Sequence, residues 1–210
     1  MAEYLEIHPK NPQPRLIGRA VEVIGSGGLV VFPTDSAYAL GGHLGDAALL
    51  ERIRRIRNVD EHHHFTLMCR DLSEIATYAR VDNAQYRLLK AATPGPYTFI
   101  LEGTKELPRR VLHPRRKTIG LRVPDHPVVR ALLELLDEPI LSSTLILPGD
   151  AEPLSDPEEI RARLGRQVDL ILDAGSCGSG MTTVISLVGG EIALVRAGKG
   201  ALEPFGLAAD

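Results

Sequence analysis

Gly25-Ser-Gly-Gly-Leu-Val-Val-Phe-Pro-Thr34 is where the reading of this chain as a fold begins. On its N-terminal side Leu16, Ile17, Ala20, Val21 and Ile24 recur at helical spacing and stop at Gly25-Ser26-Gly27-Gly28, the pattern of a helix ended by glycine. On its C-terminal side Leu29-Val30-Val31-Phe32 is a short, mostly β-branched run closed by Pro33, which reads as a buried strand. The same switch of period recurs along the chain. It predicts helices at about 46–57 (Ala48, Leu49, Ile53 and Ile56 inward), 83–92, 127–136 and 157–164. A further helix is opened by Asp71 with Glu74 three residues on. The 157–164 helix begins Asp156-Pro157-Glu158-Glu159, with a capping Asp, Pro at the first helical position and acids at the positive helix end. Strands are predicted at 65–69, 97–101, 118–123, 140–144, 168–172, 182–187 and 192–196. Short strands alternating with helices imply an α/β fold: a twisted, mixed β-sheet with flanking helices. No repeat and no Gly-, Ser- or Pro-rich linker divides the 210 residues, so one domain is expected, with Pro148–Pro157 as its long loop.

Composition excludes several classes. Hydrophobic residues make up 44% and charged residues 24%, and 24 basic against 27 acidic side chains leave a net charge of −3. The two cysteines, Cys69 and Cys177, cannot form a disulfide framework or a four-thiolate zinc site, so a reduced cytoplasmic protein is expected. No apolar run reaches the roughly 20 residues of a membrane span, and Met1–Pro14 is polar and proline-broken, unlike a signal peptide. There is no Gly-x-Ser-x-Gly elbow, no His-Glu-x-x-His pair and no Walker A loop, so neither a catalytic nucleophile nor a metal site is assigned. Gly175-Ser-Cys-Gly-Ser-Gly180 precedes a strand rather than a helix and reads as a plain loop. His62-His63-His64 reads as a solvated loop able to touch an anion when protonated, and Cys69 as a small core residue.

Local charge is more informative. Between Lys105 and Arg122 seven basic residues face a single acid, Glu106. Such a stretch attracts phosphates of a nucleotide or of RNA. Arg109, Arg110, Arg115, Arg116 and Lys117 are the RNA-binding candidates. With five Tyr, four Phe and no Trp, base stacking is poorly provided for, so double-stranded RNA or tRNA read by shape and phosphate is the expected mode. A second cluster, Arg52, Arg54, Arg55 and Arg57, lies on a predicted helix. Its first three members are expected to face solvent.

Four strings in order resemble the YrdC-like family, the threonylcarbamoyl-AMP synthases of tRNA modification. They are Pro33-Thr-Asp-Ser-Ala-Tyr-Ala-Leu-Gly41, Pro94-Gly-Pro-Tyr-Thr98, Thr118-Ile-Gly-Leu-Arg-Val-Pro124 and Thr182-Thr-Val-Ile185, followed by Arg196-Ala-Gly198. Phe65-Thr-Leu-Met-Cys-Arg-Asp-Leu72 and Lys117–Pro124 are similar to the YciO branch. The resemblance spans 12–200 as one YrdC-like domain, with 1–11 and 201–210 as terminal extensions. It implies a basic concave face over the sheet and a nucleotidyltransferase that forms threonylcarbamoyl-AMP and pyrophosphate from ATP, L-threonine and bicarbonate, with Mg2+ on the phosphates. It also implies the site residues: Thr34, Arg122 and Ser142 for a threonine-like substrate, and Arg57, Thr118, Thr144 and Arg196 for the nucleotide. The chemistry suits them. A guanidinium holds a carboxylate in a fork, and adenylyl transfer needs positioning and charge neutralisation rather than a covalent nucleophile.

The sequence departs from the family pattern at two places. Arg57-Asn58-Val59 stands where the family has Lys-x-Arg, and Thr144-Leu145-Ile146 where it has Ser-x-Asn. A planar fork replaces a point charge, one cation becomes apolar, and an amide is lost. A retained pocket with weak or altered synthase activity is therefore expected. The competing reading is a non-catalytic RNA-binding protein that uses the basic face.

Overall fold

The structure is a computed structural model and describes residues 1–178 and 180–208. Its strands are β1 (Glu3–Glu6), β2 (Val30–Phe32), β3 (Ala39–His43), β4 (Thr66–Met68), β5 (Tyr97–Glu102), β6 (Thr118–Arg122), β7 (Ile140–Thr144), β8 (Leu170–Asp173), β9 (Thr183–Ser186) and β10 (Ala193–Arg196). The helices are α1 (Pro14–Gly25), α2 (Ala47–Arg57), α3 (Leu72–Tyr78), α4 (Asn83–Ala92), α5 (Pro127–Leu136) and α6 (Pro157–Leu164). The strands form one mixed, open sheet in the order β1-β8-β2-β3-β7-β4-β6-β5-β9-β10. Among the described residues no helix is long and apolar enough to cross a membrane.

Period-2 alternation divides the strand side chains between two cores. Leu29, Val31, Leu40, Leu67, Leu121, Leu141 and Ile171 pack against Leu49 and Ile53 of α2, Ile75 of α3, Leu89 of α4 and Ile160 of α6. On the opposite face Val30, Phe32, Met68, Ile140, Leu170 and Leu172 pack against Ile17, Ala20 and Ile24 of α1 and Val128, Val129, Leu132 and Leu133 of α5. Two helices cover only part of a ten-stranded face. The uncovered part carries the site.

The predicted caps are present. Glu74 N donates to Asp71 Oδ1 at 2.9 Å and Glu158 N to Asp156 Oδ1 at 2.9 Å. The stretch before α6 is irregular as expected, held by Leu154 N to Leu145 O (2.8 Å) and by the Arg163–Asp150 ion pair (2.9 Å). Two strands were not predicted. Residues 1–11, read as an extension, contribute β1, which pairs in parallel with β8. Its Tyr4 hydroxyl donates to Asp173 at 2.7 Å. At the other end Phe205 is 6% exposed and packs on Tyr97 and Phe99. Strand β3 is hidden by Gly41-Gly42, because glycine weakens the strand signal. Here glycine is required by close approach: a Cβ on Gly41 would lie 2.8 Å from Ile140 Cγ2, 2.9 Å from Leu141 O and 2.9 Å from Phe32 Cε1. Gly41→Ala is expected to cost about 1–3 kcal/mol by overpacking, lowering Tm by roughly 2–12 °C in a thermal unfolding scan.

Candidate functional site

Strand β4 sets the site's edge. Met68 pairs with Ile140 on β7 and Arg122 on β6, and Thr66 with Ser142 and Gly120. The first row meets the apolar cover of α1 and α5 through Met68 and Ile140. The second row opens into a cleft that continues over Thr98 and Ile100 of β5, Val184 of β9 and Arg196 of β10. The cleft narrows from an outer chamber of about 460 Å³ to an inner recess of about 10 Å³. Thr66, Thr98, Thr144 and Thr182 line both, so the two are continuous.

The inner chamber is built around a buried ion pair. Arg122 is 3% exposed, and its Nη2 donates to Asp35 Oδ1 and, at 3.3 Å, to Thr34 Oγ1. Burial lowers the Arg122 pKa while Asp35 opposes that shift. Thr34 is fixed as a turn: its hydroxyl donates to Ala37 O (2.6 Å) and accepts from Ser36 N (3.1 Å). Ser142 Oγ donates to Thr66 O at 2.9 Å. Lys199 Nζ donates to Asp35 O at 3.0 Å, tying the segment after β10 to this turn. Arg122 Nε and Asp35 Oδ2 are buried without protein partners. A buried donor and acceptor left open cost free energy until something pairs with them.

The outer chamber is cationic on one side and apolar on the other. Arg57, at the end of α2, donates through Nη1 to Ser143 Oγ, and its Nε is buried without a partner. Burial and the neighbouring Arg196 push the Arg57 pKa down to about 10. Arg196 holds Thr182 O through Nη2 (3.0 Å) and Nε (3.3 Å). Neither arginine forms an ion pair with a carboxylate among the described residues. His63 Nε2 lies 3.1 Å from Ser143 Oγ and His64 Nε2 3.3 Å from Thr118 Oγ1. Burial, then Arg57, pushes the His63 pKa down to about 4, and burial, then His113, lowers that of His64. Both shifts favour the neutral ring. Ile100, Ile146, Met181, Val184 and Val195 form the apolar side.

The structure brings Thr34, Arg122 and Ser142 to the inner chamber, Thr144 to both, and Arg57 and Arg196 to the outer one. Thr118 is 1% exposed and reaches the cleft through His64. Ile146 lines the outer chamber, whereas Val59 is not among its lining residues. Arg109, Arg110, Arg115, Arg116 and Lys117 are all exposed on the turn 109–111 and the loop before β6.

Two expectations need correction. The His62–His64 segment is not a solvated loop throughout: His62 is exposed, but His63 and His64 are half-buried in the outer chamber. His113 stacks on His64 at 4.7 Å. Arg52 and Arg54 do not simply face solvent. Arg52 pairs with Asp169 at 2.7 Å, and Arg54 pairs with Glu51 and lies 5.7 Å from the centroid of the Phe65 ring. Asp35, His63, His64, Thr182 and Lys199 were missing from the predicted site. Only Asp35 and Thr182, inside the quoted strings, carried a signal. Of the Gly175–Gly180 loop, Ser179 lies outside the described residues, and no helix follows it.

Comparison with known proteins assigns the fold. A family model described as Sua5/YciO/YrdC, telomere recombination, matches residues 22–198. The chain belongs to this family. YciO of Escherichia coli (strain K12) is 56% identical over 205 residues, 98% of this chain and all of that protein. The crystal structure of E. coli YciO superposes with a TM-score of 0.95, again over 98% of this chain and all of the other. More distantly, human threonylcarbamoyl-AMP synthase is 29% identical over 187 residues, 85% of this chain and 66% of the human protein. P. abyssi Sua5, solved in complex with L-threonine, shares the fold with a TM-score of 0.85 at 23% identity, over 93% of this chain and 57% of Sua5. The Sua5/YciO/YrdC domain is thus homologous to that of the threonylcarbamoyl-AMP synthases.

The buried pair gives a direct test of the site's construction. Asp35→Asn leaves Arg122 charged without its counter-ion and is expected to cost about 3–5 kcal/mol, whereas Asp35→Asn combined with Arg122→Met recovers much of the loss. Urea unfolding of the two variants reads the difference.

Proposed function

We propose that this protein binds ATP and an α-amino acid of the L-threonine type in the two-chambered cleft and joins them, with bicarbonate, as a weak or altered threonylcarbamoyl-AMP synthase. The observation that carries this reading is the pairing of two unmet needs within one cleft. At the inner chamber, Arg122, which lines it and whose Nε is unpaired, complements a carboxylate, and the unpaired Oδ2 of its ion-pair partner Asp35 adds the negative charge that suits an ammonium, the other end of an amino-acid zwitterion. Ser142 and Thr34 stand beside them for a side-chain hydroxyl. In the outer chamber, Arg57 and Arg196 repel one another without a carboxylate between them, and a polyphosphate would relieve that repulsion. The relatives support the same ligands: a threonylcarbamoyl-AMP synthase is homologous over most of this chain, and the P. abyssi protein is solved with L-threonine.

In this reading the ammonium of the amino acid loses a proton to solvent, and the free amine attacks the carbon of bicarbonate, forming the carbamate C–N bond as a C–O bond breaks and water leaves. A carbamate oxygen then attacks the α-phosphorus of ATP and pyrophosphate leaves. The arginines neutralise charge on the phosphates, and the threonine-lined floor positions the reactants. No three His, Cys, Asp or Glu side chains among the described residues converge on a point that would hold an ion. Mg2+ would arrive with ATP and supply charge neutralisation on the phosphates. Ile146 in place of an amide leaves the outer chamber without one polar contact, which is why a slow or altered reaction is expected.

The test is pyrophosphate release from ATP with L-threonine, bicarbonate and Mg2+, run beside a thermal shift with ATP alone. Saturating ATP at 100 times its Kd should stabilise the protein by about 2.7 kcal/mol, and Arg196→Ala should abolish the shift. Threonine-dependent pyrophosphate release should be slow but above background. Absence of any ATP shift at millimolar concentration would sink the reading.

One observation favours the second reading. Arg109, Arg110, Arg115, Arg116 and Lys117 are exposed, and none forms an ion pair with a carboxylate among the described residues. If double-stranded RNA or tRNA is the partner, affinity should fall steeply with salt and collapse in Arg115→Glu/Arg116→Glu, at unchanged ATP stabilisation.

A further inference from the structure

The histidine segment contributes more to the cleft than its position at the rim. Ser143, on β7, is 4% exposed, and its hydroxyl has two neighbours within hydrogen-bond reach: Arg57 Nη1 and His63 Nε2. A guanidinium can only donate, so it occupies a lone pair on Ser143 Oγ. Among the described residues the hydroxyl proton then has a single acceptor within reach, His63 Nε2. A buried hydroxyl proton without an acceptor is disfavoured. Ser143 therefore donates to His63 while accepting from Arg57, and the His63 ring carries its own proton on Nδ1.

We infer that His63 is a positioning residue: as an acceptor, acting through Ser143, it fixes the plane of the Arg57 guanidinium in the wall of the outer chamber, where the fork, with its Nε unpaired by protein, would meet a phosphate. This rests on the proposed binding of ATP and deepens it. An arginine is a fork whose value depends on its orientation, unlike the point charge of a lysine. A chain that presents Arg here gains from a device that holds the fork in place. The surroundings keep His63 in the accepting state. Burial, then Arg57 of α2, His64 of the same segment and Arg54 of α2 disfavour its protonation, against an opposing effect of Asp60. The ring is further held edge-on against Phe65, with centroids 5.2 Å apart, and Arg54 lies over that same Phe65 ring.

The inference is tested without ligand first. ¹⁵N shifts of the His63 ring at pH 7 should report a bare Nε2 and a protonated Nδ1. The opposite tautomer, with Nε2 carrying the proton, overturns the inference. The Arg57 guanidinium signals should show restricted rotation that is lost in His63→Phe and restored in His63→Gln, whose amide oxygen can again accept. Free rotation in the unsubstituted protein likewise overturns it. A double-mutant cycle with ATP then reads the consequence. His63→Phe should weaken ATP by about tenfold in the parent and by less than about twofold in an Arg57→Ala background. Equal losses in both backgrounds overturn the positioning role and leave the ATP reading intact. If the parent does not bind ATP at all, the functional reading fails, and the Arg57 rotation data decide the positioning claim by themselves.

Discussion

The border between core and cleft falls within the three residues of β4. Met68 sits in a row with Ile140 and Arg122, and Thr66 in the next row with Ser142 and Gly120. Side chains two residues apart on a strand share a face, so one step along β4 carries that face from the edge of the α1/α5 cover to an open, hydroxyl-lined floor. A register slip of one residue would exchange every such side chain with the opposite core. Leu67 and Leu121 would then face the cleft, and Thr66 and Arg122 would enter the layer under α2 and α3. Register at β4, β6 and β7 is thus set by hydrophobic burial on both faces, and the cleft inherits its geometry from that constraint.

Within this frame the cleft shows two ways of keeping charge in a protein interior. The inner chamber pairs Arg122 with Asp35 and leaves one polar atom of each unmet. Among the described residues the outer chamber keeps Arg57 and Arg196 out of ion pairs with carboxylates and secures them through neutral oxygens, Ser143 Oγ and Thr182 O. The first arrangement is self-sufficient in charge and selective in hydrogen bonding. The second retains a field that only an incoming anion neutralises. The apolar side formed by Ile100, Ile146, Val184 and Val195 lowers the local dielectric and strengthens that field.

Periodicity alone exposed most of the fold, because the two cores write a repeat of two into strands and of 3.6 into helices. It failed where another constraint governed composition. Gly41 and Gly42 are glycine because Ile140, Phe32 and Leu49 crowd them, and this erased the signature of β3. Strand β1 follows no apolar alternation strong enough to stand out, since its residues are only partly buried. Thr34, Arg122 and Arg196 were legible through motifs that run along single strands and turns, and Ser142 only through the family resemblance. His63 and His64 were not. Their place in the cleft depends on the return of the chain after α2 onto β6 and β7, a long-range contact that no local pattern records. Three adjacent histidines give the same composition whether they face water or, like the last two, a chamber wall. Arg52 and Arg54 teach the same lesson, since their partners Asp169 and Phe65 come from other parts of the chain or fold.

The two chambers differ in how firmly the sheet holds their walls. Arg122 and Ser142 stand on interior strands paired on both sides, whereas Arg196 ends β10, a four-residue edge strand hydrogen-bonded only to β9 and irregular between Leu194 and Arg196. Its side chains are exposed or half-buried throughout. Amide protons of such an edge exchange with solvent through local opening at free energies well below that of global unfolding. A ligand gripped by Arg196 binds the closed edge alone, so its binding energy adds directly to the cost of opening β10. The outer half of the cleft is thereby a place where occupancy and strand order report on one another, while the inner half stands on strands paired on both sides.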